Sequence, residues 1–507
     1  MNANITKETL EMAKTALNSP IQDNNLIKTF VQPGTATSGL IAYDLEAPAK
    51  HLIPVMTPLR NKIPRDVGGY SIQSNWQVIT GINTSNMDIG VSEGNRGGAI
   101  DYTTARKYAA FVELGLENWV SWKADLASKN FMDIKAEAQL EELWALMIQE
   151  EFNILGGCST PAAALGTTPT PTLTDVGSGG SLSNSTTYRV GCVALTLRGY
   201  QQIMGWNMGI TGQSKSLTTG LVQQVTRVNM DGSSDTYGAG TAAPSVVATQ
   251  LTGYATDSIY AIVTPVAGAV AYAWYFGITD SDHMYLKDVT PENFITIKTT
   301  ATSTYQKYSA LAATDYSYNS LVFDGLIAQI GNATTGGYIQ NVQGKLTTDS
   351  AAGITQINTA FQSMFDQYRL GPQTMYVSSQ ELIDMTSLII ANGSAPLYRF
   401  NLDGNNPGGK ISAGVAIGSY LNKITNELVE VVVHPNMPQG TILLWSDRIP
   451  YMLANIGTPV KMKLRRDYYS IEWPMTKRRY EYGLYMDGVL QMYFPKAYGI
   501  INCIQKQ

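Results

Sequence analysis

Histidine and cysteine are the side chains that most often hold zinc in proteins, and a zinc site needs several of them at short spacing. The chain has three of each: His51, His283, His434, Cys158, Cys192 and Cys503. No metal-ligand spacing links them, so no metal site is expected. Three scattered cysteines also give no disulfide framework, and such sparse use is typical of a reducing compartment.

The sequence contains no recognisable set of catalytic residues. No Ser-x-Gly elbow, phosphate-binding loop or dinucleotide fingerprint stands between a strand and a helix. The stretch Gly94–Gly98 lacks a following helix that would present backbone amides to a phosphate. Carboxylates are plentiful, but none has an acid–base partner that the sequence identifies. We therefore expect no enzyme activity, no catalytic residue and no cofactor.

Two groups of basic residues lie in segments with strand character. They are Lys461, Lys463, Arg465 and Arg466 in one group, and Lys477, Arg478 and Arg479 in the other. Such groups either contact phosphate or form a solvated or interface face of a strand, and we favour the second interpretation. The whole chain has 35 Lys and Arg against 40 Asp and Glu, a formal net charge of −5. A dedicated nucleic-acid binder normally has a basic excess.

Length and composition limit the number of domains and the class of structure. A chain of 507 residues is too long for one core, so about two to four domains are expected. Only 15% of the residues are charged, against roughly a quarter in a typical soluble domain. That composition indicates much buried surface or much β-structure. The N-terminal segment lacks the pattern of a signal peptide, and no apolar run is long enough to predict a membrane span.

The strongest helix signal runs from Asp133 to Leu155. Apolar residues recur there at steps of three and four and predict one buried stripe. The stripe comprises Leu140, Leu143, Trp144, Met147, Ile148, Phe152 and Leu155. Glu142 and Glu150 fall largely off it. The following Gly156-Gly157 predicts a helix stop in the left-handed conformation.

The N-terminal part predicts long extended segments. Residues 21–45 indicate an extended arm. The proline-rich residues 46–69 contain an extended connector at Thr57–Arg65, because a residue before proline is pushed out of the helical region. Alternating apolar residues on both sides of the glycine-rich Ser85–Gly98 predict a long antiparallel hairpin. A two-stranded ribbon is not stable alone in water, so we expect it to lie on a neighbouring subunit.

The middle of the chain changes composition abruptly. Residues 158–173 are mostly Ala, Thr and Pro, which predicts a semi-rigid linker. From there to about Tyr318, short alternating runs separated by turn signals predict a small immunoglobulin-like β-sandwich, inserted into a host domain. The host resumes at Val322–Ile327. It continues with a helix around Ile354–Tyr368 and a short strand at Thr374–Val377.

The C-terminal third of the sequence carries further local signals. Ser378–Glu381 is a capping box that opens another helix. Strands are predicted at 428–433, 441–445, 460–466, 481–486 and 489–493.

Seven features follow one another along the chain. They are the arm, the connector TPLRNKIPR, the long hairpin, the acidic helix ending at Gly-Gly, the segment FDGLI where the host domain resumes, the module containing TMYVSSQEL and the strand-rich end. In this order they resemble the tailed-bacteriophage major capsid protein family, over residues 1–157 and 322–507. That family has the Hong-Kong-97-type fold, which encapsulin nanocompartments share.

The resemblance implies an α+β fold with the following parts. They are an N-terminal arm at 1–45, a connector at 46–65, an extended hairpin loop (E-loop) at 66–114, a peripheral domain at 115–157 and 451–507 with spine helix 133–155, an axial domain at 322–450, and an inserted β-sandwich domain at 158–321. The insertion departs from the basic family pattern.

The function that the resemblance implies is that of a major capsid protein of a tailed double-stranded DNA phage. Such a protein self-assembles into hexamers and pentamers of an icosahedral shell around the genome. The implied partners are further copies, portal and scaffolding proteins, decoration proteins, and packaged DNA in weak non-specific contact, with no membrane. The implied location is the virion shell, after assembly in the host bacterial cytoplasm. Long arms that each bury a little area on several neighbours suit a closed lattice.

Candidate contact residues between subunits are Glu93 and Arg96 at the hairpin tip, followed by Arg60, Arg65 and Arg106. Exposed ion pairs contribute only about 0–1 kcal/mol to stability. The interpretation of the tip residues as solvated side chains is therefore nearly as good as their interpretation as ion pairs between subunits. Some family members join subunits through a lysine in the hairpin. The tip from Ser85 to Gly98 has no lysine, and an arginine cannot replace the amine, so no covalent cross-link is expected.

Two other classes of protein stay open at this point. An encapsulin shell subunit would share the fold and enclose an enzyme, but the large insertion and the missing cargo-peptide pocket disfavour it. A secreted β-rich adhesin would need a signal peptide and would not need the long acidic helix.

Overall fold

The computed structural model describes residues 55–83, 90–99, 101–128, 133–205, 215–278, 280–332, 335–349, 353–392, 417–448 and 457–507. The predicted arm at 1–45, His51, part of the hairpin tip and the loop at 403–409 lie outside these residues. Among the described residues, no helix is both long enough and apolar enough to cross a membrane.

Helices and strands alternate irregularly along the chain. The helices are α1 Pro58–Lys62, α2 Trp122–Ser128, α3 Ile134–Gly156, α4 Leu197–Ile203, α5 Leu326–Ile330, α6 Thr355–Tyr368 and α7 Ser379–Asn392. The strands are β1 Arg65–Val67, β2 Gln73–Asn83, β3 Asp101–Ala110, β4 Val112–Ser121, β5 Thr172–Asp175, β6 Thr187–Leu195, β7 Gln224–Val228, β8 Ser234–Gly238, β9 Ala248–Leu251, β10 Ile259–Ile262, β11 Ala271–Gly277, β12 Met284–Thr290, β13 Phe294–Ile297, β14 Tyr338–Lys345, β15 Thr374–Val377, β16 Ser419–Asn422, β17 Glu427–Val433, β18 Ile442–Trp445, β19 Val460–Glu472, β20 Arg479–Met492 and β21 Tyr498–Gln505.

The long helix α3 packs on a four-stranded sheet with the order β1-β19-β20-β4. Strand β1 is parallel to β19, and the other pairs are antiparallel. Val120 of β4 and Tyr482 of β20 form a buried cluster with Ala138 of α3. Because side chains alternate along a strand, the even-numbered residues of β4 and β20 near this cluster face the helix.

Helix α3 is where the sequence predicts a helix, but its buried side differs from the prediction. Ala138, Glu142, Leu146 and Glu150, spaced four residues apart, are buried, and so is every residue from Glu150 to Gly156. Leu140, in the predicted apolar stripe, is 38% exposed. Phe152 and Leu155 of the predicted stripe are buried, whereas its remaining members are only partly buried. The prediction missed the burial of Glu142 and Glu150, whose hydrogen-bond partners lie on other elements.

The stop after α3 also has a different cause from the predicted one. Neither Gly156 nor Gly157 has a positive φ. A Cβ at Gly157 would lie 2.7 Å from the carbonyl oxygen of Asn153 and would overlap that of Phe323. Glycine is therefore required here for close backbone approach and not for a left-handed turn.

The hairpin is a two-stranded antiparallel ribbon of β2 and β3, paired from Gln73–Ala110 to Asn83–Asp101 with one register shift between Ile79 and Gly81. Its root lies on its own chain, because Trp76 and Val78 are buried and Trp76 Nε1 donates to the carbonyl oxygen of Met492 at 3.0 Å. The expectation that a neighbouring subunit supports the whole ribbon is therefore wrong for the root.

Two short segments beside the ribbon also depart from the predicted boundaries. Val112 and Leu114, at the end of the predicted hairpin, belong to β4 of the four-stranded sheet. The connector contains α1 where an extended chain was expected, with Pro58 at its first position. Proline is accepted there because the first N–H groups of a helix have no intrahelical partner.

A mixed six-stranded sheet has the order β14-β21-β18-β15-β17-β16. Helix α6 packs on it through Ile357, Phe361 and Met364, which are buried with residues of β15, β18 and β21. Strand β21 pairs with β14 and β18 and is the second strand from one edge of this sheet. The sequence places 451–507 in one peripheral domain, but this last strand belongs to the same sheet as β15 and β17.

The middle segment forms the sheets β12-β11-β6-β9 and β13-β10-β5 and the two-stranded sheet β7-β8. One face of β6 and β11, including Cys192 and Trp274, packs with Ile259 of β10. The opposite face, including Val193 and Tyr275, belongs to the core that also contains α3. These two strands are therefore buried on both sides, and the segment shares a core with the rest of the chain.

The predicted linker at 158–173 is correspondingly absent, since Leu165 and Thr168 are buried. Thr168 Oγ1 donates to the carbonyl oxygen of Ala243 at 2.9 Å. Small, uncharged residues occur both in exposed linkers and in closely packed segments, so the composition alone does not distinguish a linker from a buried segment.

Candidate functional site: a buried charge cluster at the connector

Two adjacent glutamates near the C-terminal end of α3 have no exposed side-chain surface. They are Glu150 and Glu151, each with 0% side-chain exposure. An unpaired carboxylate is very costly to bury, so both must be paired and hydrogen-bonded. Their partners are mostly residues of the connector. We call the set Arg60, Arg65, Glu150, Glu151, His434 and Tyr468 the connector clamp.

The carboxylate of Glu151 receives the start of α1. Its Oε1 accepts the N–H of Leu59 at 2.9 Å, and its Oε2 accepts the N–H of Arg60 at 2.6 Å. The residue before α1, Thr57, makes no side-chain capping bond. The first N–H groups of a helix need external acceptors and favour negative charge. Glu151 therefore caps α1 from another helix.

The same carboxylate also binds the turn after β17. His434 Nε2 lies 2.6 Å from Glu151 Oε1, and both side chains are fully buried. The N–H of Asn436 donates to His434 Nδ1 at 3.1 Å. Since Nδ1 is an acceptor, the imidazole proton is on Nε2, and it is donated to Glu151. One carboxylate thus joins the connector, α3 and the six-stranded sheet.

Glu150 binds the two arginines of the connector. Arg65 Nη1 donates to Oε1 at 2.5 Å, and Arg60 Nε donates to Oε2 at 3.0 Å. The Tyr468 hydroxyl also donates to Glu150. Both guanidinium groups lie over the Tyr468 ring, at 5.1 and 5.0 Å from its centroid. The buried carboxylate is therefore matched by two cations and a hydroxyl.

The clamp changes the acid–base behaviour of its members. Burial alone would lower the pKa of Arg65, but the hydrogen bond to Asp467 and the charge of Glu150 outweigh it and raise that pKa. Burial, followed by the charge of Glu150, raises the pKa of the Tyr468 hydroxyl. Asp467 is partly buried, yet its bond to Arg65 keeps its pKa below the usual value. Both carboxylate oxygens of Glu150 and of Glu151 accept hydrogen bonds, so the cluster has a structural role.

A third connector cation reaches the six-stranded sheet. Lys62 Nζ donates to Thr374 Oγ1 at 2.8 Å and lies 3.2 Å from Asp447 Oδ2. It also lies 5.2 Å from the Trp445 ring and 5.7 Å from the Tyr376 ring. These distances are within the range of cation–π attraction. The connector is consequently bound to Glu150 and Glu151 of α3 and, through Lys62, to the six-stranded sheet.

The predicted contact residues fall into two groups. Arg60 and Arg65 come together on Glu150, so their observed partners are within the chain. Glu93, Arg96 and Arg106 are exposed, and no ion pair joins them to any described residue. Their role between subunits stays a prediction.

Three of the four basic residues of β19 form ion pairs within the chain, and the fourth, Arg466, lies over the Tyr469 ring. Lys461 and Lys463 both contact Asp66 Oδ2, at 2.7 and 3.0 Å. Arg465 contacts Glu113 and Asp487, at 3.2 and 3.1 Å. These contacts agree with the strand-face interpretation. No group of three or more potential metal ligands occurs in the part of the chain that the structure describes.

Sequence reasoning missed Glu150, Glu151, Lys62 and Tyr468 as members of one site. A signal was present, because two adjacent acids stand within two turns of a glycine stop and three cations recur in the connector TPLRNKIPR. His434 stands alone in the sequence because its partner Glu151 is 283 residues away.

Comparisons with known proteins return shells, at very low sequence identity. No protein-family model matches the sequence, and no curated protein matches it. The capsid of a native GTA particle is 8% identical, with a TM-score of 0.42 over 93% of this chain and 98% of that chain. The Microbacterium phage Oxtober96 structure is 9% identical, with a TM-score of 0.40 over 91% of this chain and 95% of that chain.

A shell of another kind is also similar. The holo-SrpI encapsulin complex from Synechococcus elongatus PCC 7942 is 8% identical, with a TM-score of 0.38 over 91% of this chain and 95% of that chain. These values are too low to assign a function.

Proposed function

We propose that this chain is the major capsid protein of a tailed double-stranded DNA phage. It assembles with copies of itself into hexamers and pentamers, which close an icosahedral shell around the genome. Portal, scaffolding and decoration proteins are its partners in that proposal, and packaged DNA touches the shell only weakly. The sequence resemblance supplies the family, and the ribbon of β2 and β3 is the structural observation that carries the proposal.

The ribbon has one face on its own chain and one face exposed. Trp76 pairs with Lys107, and Trp76 is buried, so that face points to the chain. Side chains alternate across a strand, which places Tyr102, Arg106 and Tyr108 of β3 on the other face. Tyr102 is 64% exposed and Tyr108 is 68% exposed. Tyrosine and arginine are enriched in protein–protein interfaces, so this face is suited to bind a second copy.

The connector clamp supports the same proposal. The clamp binds the connector, which precedes the ribbon in the chain, to α3 and to the turn after β17. Lys62 of the connector also forms an ion pair with Asp447, next to β18. A projecting element adds to the stability of a lattice only if its direction is held. A ribbon rooted by buried charge pairs and by Trp76 has that property.

The test is negative-stain electron microscopy of particles purified from cells that express this chain alone and with a scaffold candidate. Closed shells of uniform size are expected. Nuclease-protected DNA inside particles made in infected cells would separate a capsid from an encapsulin, which would hold a protein cargo. A folded chain that never assembles under any of these conditions would overturn the proposal.

We also propose that the shell is not covalently cross-linked through the hairpin tip. The tip from Ser85 to Gly98 contains Glu93 and Arg96 but no lysine. Denaturing electrophoresis and mass spectrometry of boiled particles should show monomeric chains only. A cross-linked peptide that joins this loop to a lysine of another chain would contradict the proposal.

A further inference from the structure

Glu142 stands apart from the other buried glutamates of α3. It is 5% exposed and lies between α3 and the four-stranded sheet. Its Oε1 accepts the N–H of Leu484 of β20 at 2.9 Å. Its Oε2 is buried and has no hydrogen-bond partner among the described residues. Unlike Glu150, it has no cationic partner in that part of the chain.

The groups around Glu142 do not stabilise a negative charge. Sheet residues that interact with it electrostatically are Glu117 of β4 and Tyr482 and Tyr485 of β20. On α3, Glu141 is the adjacent residue, and Lys135, two turns earlier, lies over the Tyr480 ring and 4.0 Å from Asp125. The hydroxyl of Tyr482 is itself buried without a partner. The interface thus holds two unsatisfied polar atoms and no cation directed at the carboxyl.

We propose that Glu142 is a proton-controlled joint between α3 and the four-stranded sheet, packed when its carboxyl is neutral and loosened when it ionises. A neutral carboxyl keeps the bond from Leu484 and leaves one uncharged oxygen unsatisfied. An ionised carboxyl leaves an unpaired charge in the same place, which costs much more than an unsatisfied neutral group. This joint acts within a single chain and does not depend on the chain forming a shell.

The direction of the pH effect follows from the surroundings. Burial raises the pKa of Glu142 to about 7, against the bond from Leu484 and with the charge of Glu117. A raised carboxyl pKa favours folding fully at pH values below the unfolded-state pKa of about 4.3. That contribution is lost as the pH rises through the folded-state value. The joint therefore loosens between mildly acidic and mildly alkaline conditions.

The experiment compares the thermal unfolding of the full chain with Glu142→Gln and with the control Glu141→Gln, from about pH 5 to about pH 8.5. Glu141 is exposed and adjacent, so its variant makes the same chemical change outside the joint. The Tm of wild type and of Glu141→Gln should fall relative to that of Glu142→Gln by about 2 °C or more as the pH rises. Parallel pH profiles for all three proteins would overturn the proposal.

A second measurement locates the effect. Hydrogen exchange at the Leu484 amide, corrected for its intrinsic pH dependence, should speed up in wild type at alkaline pH and stay constant in Glu142→Gln. Glu142→Met is a second neutral variant in case glutamine misfolds. If both neutral variants are unfolded at alkaline pH, the proposal is also overturned, because it requires the neutral side chain to be the packed one.

Discussion

Glu151 of α3 accepts the Nε2 proton of His434 at 2.6 Å, across 283 residues of chain, and neither side chain is exposed. The same carboxylate accepts two backbone N–H groups of α1. Three segments that are distant in sequence therefore meet on one side chain. Removing a partner from a buried hydrogen-bonded charge leaves the others without acceptors, so this contact should be sensitive to mutation.

Glu151→Ala should lower the free energy of unfolding by about 3–5 kcal/mol, because it leaves the His434 imidazole and the N–H groups of Leu59 and Arg60 buried and unpaired. Urea denaturation followed by circular dichroism measures this change. Glu141→Ala is the matched control on the exposed side of α3, where a substitution should change stability by less than about 0.5 kcal/mol. Equal effects at the two positions would show that Glu151 does not hold the connector.

The pair of Glu150 and Arg65 should show strong coupling in a double-mutant cycle. The side chains are 0% and 19% exposed, and the ion pair measures 2.5 Å. We expect a coupling free energy of about 1–3 kcal/mol between Glu150→Gln and Arg65→Gln.

The exposed pair of Arg448 and Glu427 is the control for that cycle. Its atoms lie at 2.9 Å, with 73% and 44% of the side chains exposed. Exposed pairs contribute about 0–1 kcal/mol. A coupling at Glu150 and Arg65 no larger than that of the control would mean that burial adds nothing to the clamp.

Elements with local signals could be predicted from the sequence. Helix α3 is observed at Ile134–Gly156 and strand β15 at Thr374–Val377. The serine half of the capping box is present, with Ser378 Oγ accepting the N–H of Gln380 at 3.2 Å, whereas Glu381 Oε1 accepts the N–H of Gly440 at 2.6 Å. Periodicity and capping depend on residues a few positions apart, so the sequence carries this information directly.

The buried face of α3 and the partition into domains could not be predicted in the same way. The partners of Glu142 and Glu150 are in β20 and in the connector, and no local pattern shows that a carboxylate will meet them. Strand β11 is buried along its whole length from Ala271 to Gly277, because sheet β13-β10-β5 covers one face and the main core covers the other. A low-charge segment of alternating strands looks the same whether its outer face meets water or another core.

Gly115→Ala should destabilise the four-stranded sheet by about 1–3 kcal/mol, because overpacking forces neighbouring side chains to move. A Cβ at Gly115 would overlap the Tyr485 ring, which is stacked on Tyr469 at 6.0 Å and whose hydroxyl is bonded to Glu117. Thermal or urea unfolding measures the loss. Gly344→Ala in β14 is the control, since a Cβ there meets nothing within 4 Å. A loss at Gly115 no larger than at Gly344 would mean that the aromatic stack can shift freely.

Arg106→Glu should reduce assembly without changing the stability of the subunit. Arg106 is exposed on the outward face of β3 and has no ion pair within the described residues, so its replacement breaks no contact seen within the chain. In a shell, a reversed charge at an interface costs several kcal/mol through unfavourable juxtaposition. The yield of sedimenting particles should fall at least about tenfold, while the Tm of the unassembled chain stays the same. Lys345→Glu makes the same charge change at an exposed position of β14 and should assemble normally. If Arg106→Glu assembles as well as Lys345→Glu, the outward face of the ribbon is not an interface between subunits, although the chain can still form a shell through other surfaces.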